Sequence, residues 1–244
     1  MLKIKNASAI IDKTEVLSDI TLEINPGEIH AIMGPKESGK SSLAHIIQGN
    51  PFISVTDGSV SFNKKNLAKL TADKRSQLGI FTSFQIPPEI VGLTNLEAIK
   101  LMVKAAGQVT IGSDLESCYK DLIRELELGG TYASEYVNDE DRMPADWRKG
   151  EILQMLMINP KLAILDEIDT QQDDSSLILI AGAVTSFMKE KDKACIVITN
   201  NQIFLDLIQP THVHILVGGK ITEQGGPELY KRIVEDGYSQ FSES

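Results

Sequence analysis

Residues 34 to 42 read GPKESGKSS and combine residue types that bind phosphate. Gly34, Gly39, Lys40 and Ser41 occupy the fixed positions of the pattern G-x-x-x-x-G-K-[ST]. The glycines let backbone N–H groups close around phosphate oxygens, the lysine reaches the β- and γ-phosphates, and the serine hydroxyl is a ligand for Mg²⁺. The predicted phosphate-binding residues are the nine consecutive residues of this loop: Gly34, Pro35, Lys36, Glu37, Ser38, Gly39, Lys40, Ser41 and Ser42.

A second group of residues that could take part in catalysis lies at the end of the apolar run LAILD, Leu162–Asp166. Asp166 and Glu167 stand at the end of this predicted strand, where a parallel sheet delivers its carboxyl ends to a ligand crevice. We expect Asp166 to hold hydrated Mg²⁺ and Glu167 to polarise an attacking water as a general base. The letters LDE alone more often mark a solvated strand end, but the preceding phosphate loop favours the functional interpretation.

Strands and helices must position these groups, and the sequence contains both. The apolar run Ile29–Met33 precedes the loop and Leu43–Gly49 follows it with helical spacing, which gives the strand, loop and helix that the motif requires. The first thirty residues alternate like antiparallel strands, and amphipathic helical spacing dominates from about residue 93 to residue 159. Short apolar strands then alternate with helices, which indicates a parallel sheet covered on both faces, and Gly218–Gly219 predict a hairpin turn.

Composition narrows the class of protein. The 244 residues, 42% of them hydrophobic and 24% charged, suit one globular α/β domain with an inserted lobe. A net charge of −10 argues against nucleic-acid binding through a general basic surface. No apolar run approaches membrane-spanning length and the first residues lack a signal-peptide pattern, so we expect a cytoplasmic protein without direct membrane insertion. Cys118 and Cys195 suggest neither a disulfide nor a metal cage, and Cys195 is expected in the core.

Several stretches resemble the ATPase subunits of the ABC superfamily and, within it, the SufC family of iron–sulfur cluster assembly ATPases. They are PGEIHAIMGPKESGKSSLAHIIQG, GIFTSFQIPPEIVGLTN, EILQMLMINPKLAILDEID and VHILVGGKITEQGG, which together run over nearly the whole chain. The resemblance implies a P-loop α/β core at residues 1–92 and 160–244, an antiparallel β subdomain, and a helical subdomain at residues 93–159. It also implies ATP and Mg²⁺ as cofactors, Gln85 as a Q-loop residue near Mg²⁺ or the water, and SufB- or SufD-like partners.

The chain departs from the family pattern in the motifs that one subunit contributes to the nucleotide site of the other subunit in a dimer. The resemblance implies a glycine-rich S-G-G signature that caps the γ-phosphate across a dimer, but residues 142–150 read RMPADWRKG. Pro144 has no N–H to donate, and Asp146 would repel phosphate. Asn200 replaces the family's switch histidine, and the D-loop reads TQQD and keeps only Asp173. Glu37 stands where many ABC proteins have glycine.

Three interpretations therefore stay open. The chain binds Mg-ATP with weak or absent hydrolysis in an iron–sulfur assembly complex; or it is active when an intact SufC-like partner completes the Lys40 and Glu167 site; or it serves a membrane ABC transporter. A homodimer and a heterodimer with an intact ATPase are both compatible with the pattern. No aromatic residue lies between Ser8 and Val16 to stack on adenine, so the choice of ATP over GTP rests on the resemblance.

Overall fold

The computed structural model describes residues 1–83, 90–107, 112–137 and 144–241. In chain order the strands are β1 (Leu2–Ile11), β2 (Thr14–Ile24), β3 (Ile29–Met33), β4 (Ser54–Phe62), β5 (Lys65–Asn66), β6 (Ile80–Thr82), β7 (Ile90–Thr94), β8 (Tyr136–Val137), β9 (Leu162–Asp166), β10 (Ala194–Ile198), β11 (His212–Val217) and β12 (Lys220–Gly225). The helices are α1 (Lys40–Gln48), α2 (Ala72–Gln77), α3 (Asn95–Ala105), α4 (Gly112–Glu125), α5 (Pro144–Ile158), α6 (Asp174–Phe187), α7 (Gln202–Ile208) and α8 (Pro227–Asp236).

The central sheet has the strand order β12-β11-β3-β10-β9-β6. Every pairing in it is parallel except the hairpin of β11 with β12. The strands β3, β9 and β10 are buried along their whole length, as continuous apolar runs in a parallel sheet covered on both faces must be. Because these strands point the same way, the residues that follow them meet at one edge of the sheet.

A second, antiparallel sheet has the order β2-β1-β4-β5 and covers one side of the molecule. Together with α1 it packs on one face of the central sheet, which places Ile32, Ile164 and Ile196 in a shared core. The opposite face, which includes Ala31 and Leu165, packs against α5, α6, α7 and α8. The central sheet is therefore held rigidly between two apolar layers.

Helices α3, α4 and α5 lie between β6 and β9 in the chain. Thr94 and Glu97 form a capping box at the start of α3, in which each side chain bonds the backbone of the other residue. The short strands β7 and β8 pair with each other, a feature that the helical periodicity does not predict. The predicted fold class is confirmed, with its parallel core, antiparallel sheet and inserted helices. The predicted boundary between residues 92 and 93 falls inside β7, and the three subdomain ranges stay a prediction.

Within the described ranges, no helix has both the length and the apolar character that crossing a bilayer requires.

Candidate nucleotide-binding site

The loop between β3 and α1 is packed so closely that its motif glycines cannot carry side chains. A Cβ atom on Gly34 would lie 2.1 Å from the carbonyl oxygen of Leu216. A Cβ atom on Gly39 would lie 2.7 Å from the carbonyl oxygen of Val16, and Gly39 also has a φ of 101° at the start of α1. Glycine is required at both positions by contact and, at Gly39, by backbone conformation as well.

The hairpin turn between β11 and β12 supports this loop. The Gly219 N–H donates to the carbonyl oxygen of Ser38 over 2.9 Å, and the Ser18 N–H donates to the carbonyl oxygen of Gly219 over 2.8 Å. Gly218 and Gly219 have φ values of 54° and 77°, which two-residue hairpin turns require. The predicted turn is confirmed, and its contact with the loop fixes the loop against the second sheet.

A cleft of about 900 Å³ opens beside the loop, a volume in the range of small-molecule sites. Its walls come from the start of β2, the loop and α1, the residue after β9, and the hairpin turn: Thr14, Glu15, Val16, Lys36, Glu37, Ser38, Gly39, Lys40, Ser41, Ser42, Glu167, Gly218 and Gly219. None of these described wall residues is aromatic, so this wall offers no ring to stack on a base.

Lys40 places its ammonium group at the mouth of the loop. The side chain is buried, and its Nζ donates to the carbonyl oxygens of Gly34 over 3.0 Å and Pro35 over 2.7 Å. Burial lowers the pKa of Lys40, while the nearby carboxylates of Glu167 and Asp166 oppose that shift. The structure therefore brings Lys40 and the acidic pair together, as the sequence predicts.

Among the buried oxygen atoms that lack a hydrogen-bond partner are Ser38 Oγ in the loop and Asp166 Oδ1 at the end of β9. Burial raises the pKa of Asp166, and the nearby Ser41 hydroxyl opposes that shift. Because buried polar groups are almost always paired, these oxygens fit a site that is completed by a polar ligand. A serine hydroxyl beside a carboxylate is also the oxygen ligand set that Mg²⁺ prefers.

Glu167 follows Asp166 with an unusual backbone. Its φ is 51°, in the left-handed region, and its N–H donates to the carbonyl oxygen of Ile198 over 2.9 Å. The side chain is half-buried and lines the cleft. A non-glycine residue held there costs about 1–3 kcal/mol, and such conformations cluster at functional sites.

Asn200 follows β10 and bonds the phosphate loop directly. Its Nδ2 donates to the carbonyl oxygen of Gly34 over 2.9 Å, and its Oδ1 accepts the Gly34 N–H over 3.2 Å. Tyr238, beyond α8, donates its hydroxyl to the same Oδ1 over 2.6 Å. Burial raises the pKa of Tyr238 to about 12, so its hydroxyl stays a neutral donor near pH 7. In this structure the amide holds the loop rather than lining the cleft.

The geometry agrees with comparisons to known proteins. The family model described as "ABC transporter" matches residues 17–170, which include the loop, Asp166 and Glu167. The chain belongs to the ABC transporter family. It is 36% identical to the "Probable ATP-dependent transporter ycf16" of Cyanophora paradoxa, over 100% of this chain and 95% of that protein. It is 34% identical to the "Probable ATP-dependent transporter SufC" of Escherichia coli K12, over 100% of this chain and 99% of that protein.

Among solved structures, the dimeric MJ0796 cassette of a bacterial ABC transporter superposes with a TM-score of 0.81, at 21% identity, over 93% of this chain and 99% of that one. This likeness shows a shared fold. Together with the relatives, it makes the chain a SufC-like ABC ATP-binding cassette.

The cassette contains a polar bridge that the motifs do not reveal. Asp169 is buried, and its Oδ2 accepts a hydrogen bond from the Thr199 hydroxyl over 2.8 Å. The same hydroxyl accepts the Asn201 N–H over 2.9 Å. The bridge ties the segment after β9 to the segment after β10, and burial raises the pKa of Asp169. The sequence contains one signal for this bridge, the second acidic residue shortly after LDE. The threonine that it bonds is distant in sequence, so the bridge itself could not be predicted.

The stretch in which the family resemblance implies a signature includes the first turns of α5, where Asp146 and Arg148 are paired within the chain. Asp146 lies 3.3 Å from the Lys149 ammonium, so a neighbouring cation balances its charge. Arg148 donates to the Glu151 carboxylate over 3.0 Å, and both residues are buried. A Cβ atom on Gly150 would lie 2.2 Å from the Tyr132 hydroxyl oxygen, so α5 packs closely against Tyr132.

Of the remaining predicted residues, some are described by the structure and others lie outside the described ranges. Asp173, which the resemblance implies to be a D-loop residue, accepts the Ser176 N–H and caps α6. Gln85, predicted as a Q-loop ligand, lies outside the described residues, as do Arg142 and Met143. Cys195 is fully buried in β10, which confirms it as a core residue.

Proposed function

We propose that this cassette binds Mg-ATP, hydrolyses it slowly or not at all by itself, and serves an iron–sulfur cluster assembly complex as its SufC-like subunit. One observation supports the proposal above the others. Lys40 and Glu167 line one cleft, and the Asp166 carboxylate lies near enough to Lys40 to affect its pKa. Where the resemblance implies an S-G-G signature, the sequence differs, and Asp146 and Arg148 are paired within their own chain.

In this proposal the loop backbone and Lys40 bind the phosphates at the start of α1. Ser41 and Asp166 hold Mg²⁺, with Gln85 as a further ligand from the Q-loop. When bound, Mg²⁺ neutralises charge on the β- and γ-phosphates. Glu167 orients the water as general base. The unpaired oxygens of Ser38 and Asp166 support this assignment because each has bonding capacity left for a ligand.

We expect slow turnover because the chain lacks hydrogen-bond donors that would stabilise the γ-phosphate during hydrolysis. Pro144 has no N–H, and a signature without glycines cannot close its backbone around a γ-phosphate. Removing one preorganised donor from a comparable anion site costs about 10²–10³ in rate. Asn200 hydrogen-bonds the loop but cannot carry charge as a histidine does. A homodimer of this chain would repeat these deficits at both of its sites.

The assembly role is supported by the full-length likeness to SufC and by the SufC-like segment around Gln85. We propose SufB- or SufD-like proteins as partners and the cytoplasm as the location, with contact through the helical lobe near the Q-loop. A purified SufB- or SufD-like protein should bind the cassette in a pull-down. Preference for the membrane subunit of a transporter would overturn this role.

An intact partner is the second candidate, and the retention of Glu167 favours it. In a heterodimer, an S-G-G signature from the partner would complete the Lys40 and Glu167 site, while the opposite site stays inactive. A role in a membrane transporter is the third candidate, and the names of the relatives, which call them probable ATP-dependent transporters, favour it.

Calorimetric titration with Mg-ATP tests the binding proposal. The wild-type chain should bind one nucleotide, and Lys40→Ala should weaken binding at least tenfold because it removes the loop's only lysine aimed inward. Lys104→Ala is the matched control, since Lys104 is an exposed lysine of α3 outside the walls of the cleft. Absence of binding by the wild-type chain would refute the proposal. Adding an intact SufC-like partner then tests the heterodimer, in which Glu167→Gln should abolish any activity that appears.

A further inference from the structure

Three of the chain's four histidines gather at the end of β3 opposite the phosphate loop. His30 and His212 are direct partners in the parallel pairing of β3 with β11, and His214 lies two residues further along β11 on the same face. Glu28 stands two residues before His30, also on its face. Ligand atoms of Glu28, His30 and His212 all lie within 4.8 Å of one another.

The hydrogen bonds of His212 leave one nitrogen available. The Thr211 hydroxyl donates its proton to the carbonyl oxygen of Ile29 over 2.9 Å. It must therefore accept the bond from His212 Nδ1, which spans 3.0 Å. In the neutral ring this leaves the lone pair on Nε2, the usual arrangement of a metal-binding histidine whose other nitrogen is fixed by an outer partner.

His30 is fixed at both nitrogens. Its Nε2 faces Glu28 Oε2 at 2.9 Å, and its Nδ1 faces His214 Nε2 at 2.8 Å. A cation between Glu28 and His30 would replace the Nε2 proton, and that proton would move to Nδ1, from which it bonds His214. The His214 proton shifts to its own second nitrogen, so both rings stay neutral and no proton is lost from the pair. His214 then acts as the outer partner that orients His30.

Burial separates a rigid part of the cluster from an adjustable one. His30 and His214 are buried, Glu28 is partly buried, and His212 is exposed. The rings of His30 and His212 are stacked with centroids 4.5 Å apart. The exposed His212 ring can therefore tilt off this stack and direct Nε2 towards a cation that Glu28 and His30 already hold.

We propose that Glu28, His30 and His212 form a binding site for a divalent transition-metal ion, with Zn²⁺ as the expected occupant and His214 as an outer partner. Two imidazoles and a carboxylate suit Zn²⁺, which binds such ligands at about 2.0–2.2 Å and accepts a water molecule as its fourth ligand. Mg²⁺ and Ca²⁺ prefer oxygen ligands alone. The bound ion would join β3 to β11 at the sheet end remote from the nucleotide cleft.

Competition with a chromogenic zinc chelator tests the site on tag-free, nucleotide-free protein. The wild-type chain should bind one Zn²⁺. Losing even an outer partner costs about 10–100-fold in metal affinity, so His212→Ala and Glu28→Gln should each weaken binding at least about 100-fold. The matched control is His45→Ala, which removes the one histidine outside the cluster and should leave zinc affinity unchanged.

X-ray absorption at the zinc edge supplies a second readout, in which two imidazole ligands are expected. Circular dichroism confirms that each variant is folded, and the exposure of His212 makes its replacement the safest test. Absence of zinc binding by the wild-type chain would overturn the proposal. So would wild-type zinc affinity in His212→Ala or Glu28→Gln, or a spectrum without imidazole.

Discussion

The side chain of Asn200 holds both polar backbone groups of Gly34, donating to its carbonyl oxygen over 2.9 Å and accepting its N–H over 3.2 Å. This pair joins the residue after β10 to the first residue of the phosphate loop. Tyr238 adds a third bond, to the Asn200 amide oxygen. The position at which the SufC family resemblance implies a switch histidine is thus engaged with the chain's own loop.

Asn200→Ala should loosen the loop. It removes the two bonds to Gly34 and the bond from Tyr238, each worth about 1 kcal/mol, so the free energy of unfolding should fall by about 2–3 kcal/mol. Mg-ATP affinity should fall several-fold, because the loop must then be ordered on binding. Chemical denaturation and calorimetric titration measure the two effects.

Tyr238→Phe is the graded control for that experiment. It removes the hydroxyl that bonds the Asn200 amide oxygen but leaves the two bonds between Asn200 and Gly34, so it should produce a smaller loss in both measurements. If Asn200→Ala leaves stability and affinity at wild-type values, the two bonds do not support the loop.

Glu37 should weaken nucleotide binding through its charge and destabilise the loop through its backbone. It is exposed, lines the cleft and has a φ of 61°, which favours glycine. A like charge about 5 Å from phosphate in water costs about 0.8 kcal/mol, so Glu37→Gly and Glu37→Gln should each tighten Mg-ATP binding about fourfold.

The same two variants separate strain from charge. Only Glu37→Gly relieves the left-handed backbone, which should raise the free energy of unfolding by about 1 kcal/mol. Isothermal titration and denaturant unfolding of both proteins provide the comparison. Weaker binding by Glu37→Gln would show that the carboxylate helps to hold the nucleotide complex.

The two cysteines should differ in reactivity. Cys195 is fully buried, and burial raises the pKa of its thiol to about 12. Cys118 is exposed, although partial burial of its thiol and the nearby Asp121 also raise its pKa. Raised pKa values leave little thiolate at pH 8, so accessibility decides the rates. A disulfide reagent should titrate one thiol in the folded chain and two after unfolding.

Cys118→Ser identifies the reacting group in that assay. The variant should lose the thiol that reacts in the folded state and keep the one exposed by unfolding. Rapid reaction of both thiols in the folded wild-type chain would contradict the buried position of β10.

Local patterns were enough to predict the scaffold of the site. The run before Gly34 is apolar except for His30, and the run before Asp166 is wholly apolar, so both strands could be placed within a residue. Parallel strands bring their ends together at one edge of the sheet. The proximity of Lys40 to Glu167 and Asp166 follows from that rule.

Contacts between distant parts of the chain were not predictable in this way. Tyr238 lies 38 residues beyond Asn200, and Asp169 bonds a threonine 30 residues away. No local periodicity encodes such pairs, because they depend on how α8 and β10 are placed in space. The histidine cluster could not be predicted for the same reason, because His30 and His212 are 182 residues apart. The strands that carry these two residues were predictable, but their pairing was not.

Steady-state Mg-ATP turnover by the purified chain, measured beside Glu167→Gln, tests the central claim most directly. Glu167→Gln keeps the shape of the site but removes the proposed general base, so it reports contaminating activity. The account predicts that wild-type turnover will not exceed that of Glu167→Gln, although both proteins bind nucleotide. Turnover well above the variant would contradict it, since a working site would then form without an S-G-G signature.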